Sequence, residues 1–315
     1  MIRFFLRRLM TLAATLLATS VAVFMVFQVL PGDPALVILG PDAQQDAVLR
    51  LRAELGLDRP VVERYVSWIF GLLTGDLGQS YAYRVPVAEL IVQRLQVTVP
   101  LAVTAIVLST SIALPLGLFA ASRHNRLGDV AVMGFSQIGV AMPNFWFGLL
   151  LVLLFSVNLG WFSAGGFPGW DRSVALSIKA LVLPAISLAL PQAAILARVT
   201  RSSVLEVLGD DFVRTARAKG LTRRATMWRH VLRNAMIPVV TIMGLQFAFL
   251  MAGAIIIENV FVLPGIGRLV FQAIGQRDII VVMDVVILLA AMVVTVNFLV
   301  DLAYAALDPR LRVGS

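Results

Sequence analysis

The side chains that most often carry catalysis are few in this sequence, and their spacing does not suggest an active site. The only two histidines, His124 and His230, lie in polar segments separated by two long apolar stretches. We therefore interpret both as loop residues and not as metal ligands or as the base beside a nucleophile. The absence of cysteine excludes disulfides, thiolate nucleophiles and thiolate metal sites.

Phosphate binding and proton transfer find equally little support in the sequence. A Gly-x-x-x-x-Gly-Lys-Ser/Thr motif is missing, and neither lysine, Lys179 or Lys219, lies in a glycine-rich phosphate loop. Three acids lie near the ends of apolar stretches, namely Glu258, Asp284 and Asp301. They either belong to a proton relay or serve as boundary and packing groups. Their position near the ends favours the second interpretation. The sequence thus predicts a chain without catalytic residues.

The composition of the chain indicates that its polar residues lie between membrane-spanning helices. Hydrophobic residues make up 59% of the chain and charged residues 14%, against roughly 45–50% and about 25% in soluble domains. Several stretches of about 20 apolar residues contain no charge, which is the length that spans a hydrocarbon core of about 30 Å. The net charge of +8 suggests nucleic acid at first, but the arginines cluster in short loops between the apolar stretches. We therefore predict an all-α polytopic membrane protein with no nucleic-acid partner.

The apolar stretches predict about six transmembrane helices. The first follows Arg8, and it is longer than the 7–15 residues of a signal-peptide core. No convincing cleavage site follows it, so a retained span is favoured over a cleaved signal. Pro115 is expected to kink the second span, and Pro143 with Asn144 to interrupt the third. The predicted spans are 9–30, 97–121, 130–157, 175–199, 236–262 and 279–307.

Residues 31–96 form the main polar insertion, in which we predict three short helices. Asp42 and Gln45 form a capping box for the first, which Gly56 closes. Pro60 opens the second, and the third runs over 86–95. We favour a helical cap on the membrane surface over a contact with delivered substrate or an extracellular partner. The apolar face of the second helix comprises Tyr65, Trp68, Ile69 and Leu72.

A further short helix is predicted between the fifth and sixth spans, over 264–278. Its apolar positions follow helical spacing, but the stripe is too short to cross a bilayer. We expect it to lie at the extracytoplasmic interface. The predicted apolar face comprises Ile266, Leu269, Val270, Ala273 and Ile274.

Arginine and lysine near the span ends predict that both termini are cytoplasmic. The basic segments are the N-terminus, the 122–129 loop, the 200–235 segment and a tail with Arg310 and Arg312. The 31–96 insertion and the short loops around Asp171 and Arg268 fall on the opposite side.

The 200–235 segment is the most informative polar part of the chain. We predict a helix over 206–219, with Asp210 and Asp211 in its middle or opening a second part. Gly220 suits the left-handed position after a helix end, and Thr222 caps a second helix over 223–233. Such a helix-turn-helix either inserts into a groove on a soluble partner or lies on anionic lipid. In the second helix the apolar stripe comprises Met227, Trp228, Val231 and Leu232, while Arg229, His230 and Arg233 point away.

Several runs of residues then resemble one family. Residues 212–221 (FVRTARAKGL) and 229–238 (RHVLRNAMIP) resemble the coupling loop of ABC importer permeases of the dipeptide, oligopeptide and nickel branch. Residues 30–34 (LPGDP), 55–60 (LGLDRP), 258–261 (ENVF) and 264–268 (PGIGR) strengthen the resemblance, which covers essentially the whole chain. The stretch 234–253 is similar to glutathione importer permeases. The broader family has Glu-Ala-Ala and a Leu-Pro pair in this loop. This sequence departs from both, and because such a departure is usual in the peptide and nickel branch, it narrows the resemblance to that branch.

The resemblance implies a type I ABC importer transmembrane domain in the bacterial inner membrane. It implies a second permease subunit, two ATP-binding subunits that carry ATP and Mg, an extracytoplasmic solute-binding protein, and no cofactor on this chain. It assigns a first transmembrane helix to 1–30, an extracytoplasmic insertion to 31–93, the permease core to 94–305 and a cytoplasmic tail to 306–315. The residues implied to contact the ATP-binding subunits are Arg214, Thr215, Ala216, Ala218, Lys219, Gly220, Leu221, Met227, Trp228, Arg229 and His230.

Two other classes of function have less support in the sequence. An ion-coupled secondary transporter predicts buried acids at mid-span and inverted repeats with interrupted helices in both halves, and neither is evident. A membrane-embedded enzyme requires a nucleophile with its base or a metal cluster. Peptides are the leading cargo, and glutathione-like peptides, nickel complexes and opine-type solutes stay open.

Overall fold

The computed structural model describes residues 2–29, 34–40, 43–54 and 56–307, and regular secondary structure there is helical. Asp42 of the predicted capping box, parts of the 30–34 and 55–60 motifs, and Arg310 and Arg312 lie outside the described residues. The helices are α1 (Ile2–Val29), α2 (Pro34–Leu39), α3 (Gln45–Glu54), α4 (Val61–Thr74), α5 (Val87–Ser122), α6 (Leu127–Ala141), α7 (Asn144–Leu151), α8 (Val174–Leu208), α9 (Asp211–Ala218), α10 (Arg223–Thr226), α11 (Leu232–Val260), α12 (Ile266–Gly275) and α13 (Ile279–Leu307).

Five helices of the described chain are long and apolar enough to cross a membrane, and a bent pair makes a sixth span. The pair is α6 with α7 and the π-helical turn Val152–Asn158, which meet at an angle of 100°. Pro143 lies at the break, as its missing N–H and fixed φ lead us to expect. The all-α fold with about six spans is therefore confirmed.

Two predicted boundaries are wrong for the same reason. The separate helix over 86–95 is the first part of α5, which runs without a break from Val87. The predicted helix over 223–233 likewise continues into the fifth span, so that one helical stretch extends from Arg223 to Val260. Polar residues mark the change of environment at both places, but no glycine or proline stops the helix there.

The described residues form two compact units. The first, which we call the core unit, comprises residues within 1–8, 99–263 and 295–315. The second, the insertion unit, comprises residues within 9–98 and 264–294.

The core unit is organised around α8, most of whose middle is buried. Leu188 and Leu196 are fully buried there. Small residues allow neighbouring helices to approach closely. A Cβ atom on Gly117 of α5 would lie 2.6 Å from Cβ of Thr200 and 2.7 Å from the carbonyl oxygen of Ala197. The amide of Gln246 in α11 donates to the backbone carbonyl of Gln192 at 2.8 Å and ties α11 to α8.

The insertion unit has its own apolar core, formed by the start of α5, the buried face of α12 and the start of α13. Four of the five predicted α12 positions are buried, and Ile274 is 58% exposed, so that assignment was wrong. The helix has 10 residues, a length of about 15 Å, and does not span a bilayer. Asp278 caps α13 and accepts hydrogen bonds from the Ser80 hydroxyl and from the Ala82 amide at 3.1 Å.

Helix α4 presents the predicted face. Tyr65, Trp68, Ile69 and Leu72 are all partly buried. Tyr65 and Trp68 contact the ring of Phe24 in α1 at 5.3 and 6.0 Å between ring centroids. Pro60 precedes the helix as its N-cap residue.

Candidate functional site

The polar segment between α8 and α11 is built from two helical pieces joined by a tight turn. Helix α8 ends at Leu208, and α9 begins after the bend at Gly209 and Asp210. Of the two readings of the acidic pair, the second is therefore correct, because Asp211 opens a separate helix. The Thr222 hydroxyl accepts the Ala225 amide at 3.2 Å and caps α10 as predicted.

The turn depends on Gly220, whose φ is +90°. The Gly220 amide donates to the carbonyl of Arg217 at 2.9 Å, and the Leu221 amide donates to the carbonyl of Ala216 at 3.3 Å. This pair of bonds satisfies carbonyls that would otherwise be free at the end of α9. The left-handed conformation predicted for Gly220 is confirmed.

A small apolar cluster holds the segment on the core unit. Val213 of α9 is 1% exposed and Val231 is fully buried. They pack with Ala121 of α5, Val204 of α8 and Ala235 of α11. A π-helical turn over Met227–Val231 connects α10 to α11. Because buried residues come from several helices, movement of α9 is mechanically linked to α5, α8 and α11.

The residues that the resemblance singled out fall into two groups. Ala216 lies in the buried face of α9, while Leu221, Met227 and His230 are partly buried. The others are exposed, namely Arg214, Thr215, Ala218, Lys219, Gly220, Trp228 and Arg229.

The predicted apolar stripe of the second helix is only partly correct. Val231 is buried and Met227 packs beside it, but the Trp228 side chain is 59% exposed. Phe212, which we did not assign to the site, is 42% exposed at the start of α9. The helical spacing of Val213 and Ala216 was the available signal, since it puts Phe212 off the buried face. Two aromatic side chains therefore remain on the outer surface of the segment.

The same surface is strongly basic. Its exposed acids include Asp210 and Asp211, and Asp211 Oδ1 lies 3.4 Å from Nη1 of Arg214. The exposed basic side chains are Arg214, Arg217, Lys219, Arg223, Arg224, Arg229 and Arg233. An exposed aromatic pair within a positive surface is a typical composition for a protein contact, because aromatics and arginine are enriched at interfaces.

An ion pair close to this segment joins the 122–129 loop to α8. Asp129 is 2% exposed, and its Oδ2 accepts Nη2 of Arg201 at 2.7 Å and the Asn125 amide at 3.0 Å. His124 Nδ1 lies 3.1 Å from Nη2 of Arg201. Our interpretation of His124 as a plain loop residue was therefore incomplete. The two members of the pair are 72 positions apart, and nothing in the sequence links them.

Of the three acids near span ends, two are buried and the third is partly exposed in an ion pair. Glu258 is fully buried in α11, and Asp301 lies 2.9 Å from Nη1 of Arg8. Asp284 accepts the Trp68 indole N–H at 2.7 Å. Among the residues that the structure describes, no group of three or more potential metal ligands is present.

Comparison with known proteins gives a consistent result over the whole length. A profile of the family described as the binding-protein-dependent transport system inner membrane component matches residues 113–313. A profile of the N-terminal region of such membrane components matches residues 1–102.

Among curated relatives, a probable peptide ABC transporter permease of Sinorhizobium fredii is 39% identical over 309 residues, 98% of this chain and 99% of the relative. The dipeptide transport system permease of Escherichia coli is 39% identical over 336 residues, 99% of each protein. Among solved structures, an inward-facing methionine ABC transporter, MetNI, aligns with a TM-score of 0.56 and 20% identity, covering 70% of this chain and 96% of that chain. At that identity the likeness shows the fold alone.

Proposed function

The chain belongs to the family of binding-protein-dependent transport system inner membrane components and is thus a non-catalytic permease subunit, and we propose that it imports peptides. The support for peptide cargo is that relatives matched over nearly their whole length carry peptide and dipeptide transport in their names. Di- or oligopeptides and glutathione-like peptides fit the proposal. In it, a second, similar permease completes the pathway, and a solute-binding protein delivers the cargo from outside.

We further propose that residues 211–233 contact the ATP-binding subunits. The observation that carries this assignment is the exposed pair Phe212 and Trp228 on a basic surface. Arg214, Lys219 and Arg229 supply charge there. The remaining assigned residues are Thr215, Ala216, Ala218, Gly220, Leu221, Met227 and His230, which form the turn and its support.

The physical role of this contact is mechanical. Closure of the ATP-binding subunits moves α9, and the cluster around Val213 and Val231 transmits the movement to α5, α8 and α11. The ATP-binding site and the pathway then influence the same equilibrium, in which the spans adopt either an inward-open or an outward-open arrangement. In this proposal both termini and the 200–235 segment are cytoplasmic, the 31–93 insertion is extracytoplasmic, and 94–305 is the permease core.

The test compares two tryptophans of nearly equal exposure in the full chain. Trp228 is 59% exposed and Trp161, in the loop between α7 and α8, is 57% exposed. We expect Trp228→Ala to lose most of the co-purified ATP-binding subunits and of ATP-dependent uptake of a labelled dipeptide. Trp161→Ala should retain the ATP-binding subunits. Equal retention in both variants would contradict the coupling assignment.

Uptake tests the cargo separately from the contact. An importer reconstituted with its binding protein should accumulate labelled dipeptide only when ATP is supplied to the ATP-binding subunits. Accumulation driven by a proton or sodium gradient in the absence of ATP would instead support a secondary transporter.

A further inference from the structure

Helix α6 is held on the core unit with little apolar packing. Of its 15 residues, all of which the structure describes, only Asp129 and Ser136 are buried. Its large apolar side chains stay on the outside, since Leu127, Val130 and Phe135 are between 64% and 89% exposed. The position of α6 therefore depends on contacts other than a buried apolar face.

An apolar groove of about 350 Å³ runs beside the middle of α6, and α5, α7 and α8 form its other walls. At one end of the groove α6 approaches α8 closely, because a Cβ atom on Gly139 would lie 3.2 Å from Cβ of Ala194. This contact joins small residues and has no preferred direction. The groove leaves α6 room to turn about it.

The second close contact is polar and lies about 15 Å along α6 from Gly139. Asp129 Oδ1 accepts Nε of Arg201, and Asp129 Oδ2 accepts Nη2 of Arg201 at 2.7 Å. Two parallel bonds from one guanidinium fix an orientation as well as a distance. No other charged residue lies between Leu127 and Asn158, so Asp129 alone can give the bent span of α6 and α7 an ion pair.

Arg201 lies close to the cluster that supports the coupling segment. Arg201 and Val204 are three positions apart and so share a face of α8, about 4.5 Å apart along the helix axis. Val204 is fully buried and packs with Val213 of α9 and with Val231. A movement of α9 therefore reaches Arg201 through a single turn of α8.

We propose that Asp129 and Arg201 are positioning residues for transport, whose ion pair makes the bent span of α6 and α7 follow α8 when the ATP-binding subunits move α9. The inference rests on the contact proposed above between residues 211–233 and those subunits. Apolar side chains of similar volume can match a buried ion pair in stability, but they do not fix an orientation in the same way. Without the pair, α8 moves while α6 lags, and ATP is hydrolysed with less peptide transported.

The first test is the number of labelled dipeptides imported per ATP hydrolysed by the assembled transporter containing the full chain. Loss of folded protein does not change this ratio, because both activities then fall together. We expect Arg201→Gln to lower the ratio about tenfold, the factor that one charge-assisted hydrogen bond represents. The ATP-binding subunits should stay bound, since Arg201 lies outside residues 211–233. Arg201→Lys keeps the charge but not the two-pronged geometry, and its ratio should fall between the two.

Two further variants separate positioning from stability. Asp301→Asn is the matched control, because Asp301 forms an ion pair with Arg8 at 2.9 Å outside the Val204 cluster, and it should keep the ratio of the unaltered transporter. The double variant Asp129→Asn with Arg201→Gln leaves no unpaired charge and should regain part of the stability that Asp129→Asn loses. Its ratio should nevertheless stay as low as that of Arg201→Gln.

The second test measures the position of α6 without ATP. Spin labels are attached at Val130→Cys in α6 and Phe249→Cys in α11, which are 64% and 66% exposed. The chain has no native cysteine, and the other subunits are used in cysteine-free form. We expect a narrow distribution of distances between the labels, which becomes clearly broader when Arg201→Gln is added. This result does not depend on the contact of residues 211–233, so it decides the link even if that contact is refuted by Trp228→Ala.

Three results would overturn the proposal. The first is an unchanged ratio of peptide to ATP in Arg201→Gln. The second is a ratio that recovers together with stability in the double variant, as a purely structural ion pair predicts. The third is an unchanged distribution of label distances in Arg201→Gln.

Discussion

Substitution of Gly220 provides the sharpest test of the coupling element, because its backbone conformation alone restricts the residue. Its φ is +90°, and apart from its two chain neighbours no described residue has an atom within 4 Å of the position of an added Cβ. The cost of a side chain is therefore the penalty of a left-handed backbone, about 1–2 kcal/mol for alanine. Asparagine tolerates this region better, and valine tolerates it worse because it is β-branched.

A substituted chain relieves this cost by giving up the native conformation of the turn. It then loses two hydrogen bonds, from the amide of residue 220 to the Arg217 carbonyl and from the Leu221 amide to the Ala216 carbonyl. A penalty of about 1–2 kcal/mol lowers the ratio of the native turn to other conformations by roughly 5- to 30-fold. If only the native turn docks, that factor is the upper limit of the loss of affinity for the ATP-binding subunits.

The assay is dipeptide uptake and co-purification of the ATP-binding subunits, both normalised to membrane-inserted protein. We expect function to decrease in the order Gly220→Asn, Gly220→Ala, Gly220→Val, with insertion unchanged because the apolar spans determine it. Gly134 of α6 is the matched control. It is exposed, its φ is not positive, and a Cβ there meets open space, so Gly134→Ala should retain full activity.

Gly220→Glu separates docking to a protein from binding to lipid. The variant adds an acid to a surface with seven exposed basic side chains between Arg214 and Arg233. The coupling assignment predicts a loss at least as large as in Gly220→Ala. Binding to anionic lipid alone predicts little change. Normal uptake with full partner retention in both Gly220→Val and Gly220→Glu would refute the assignment.

Two further predictions concern topology and the buried ion pair. Since the chain has no native cysteine, a Cys in place of Gln45 should react with an impermeant reagent outside sealed cells, and one in place of Lys219 should not; the reverse pattern would invert the proposed orientation. Asp129→Asn should lower the free energy of unfolding by up to about 3 kcal/mol, because it leaves the mostly buried Arg201 without its carboxylate. Adding Arg201→Gln should restore part of that loss in thermal unfolding, whereas strictly additive losses would argue against a coupled pair.

Local patterns were sufficient where the physical cause is itself local. Gly220 and Thr222 were predictable because a left-handed helix end and a hydroxyl cap depend on a few neighbouring residues. The same holds for α12, whose apolar spacing predicted both its helical form and four of its five buried positions. Helix boundaries were less predictable, since a helix continues through polar residues such as those before Val97 when nothing breaks it.

Contacts between distant parts of the chain were not predictable. Asp129 and Arg201 are separated by 72 positions, and Trp68 and Asp284 by 216. The sequence separation within each pair does not distinguish it from any other combination of an acid and a possible donor in the chain. The burial of Asp284 and its hydrogen bond from Trp68 exist only after α4 and α13 have packed.

The sequence by itself therefore determined that the chain is helical, that it crosses a membrane about six times and that a capped turn follows α9. These features follow from apolar length and from the local chemistry of glycine and threonine. The tertiary structure decided which helices became neighbours, and so left Trp228 exposed and buried Asp129 and Asp284. The reason is that helix neighbours are selected by close packing over the whole unit, which the local spacing of apolar residues in one helix does not specify.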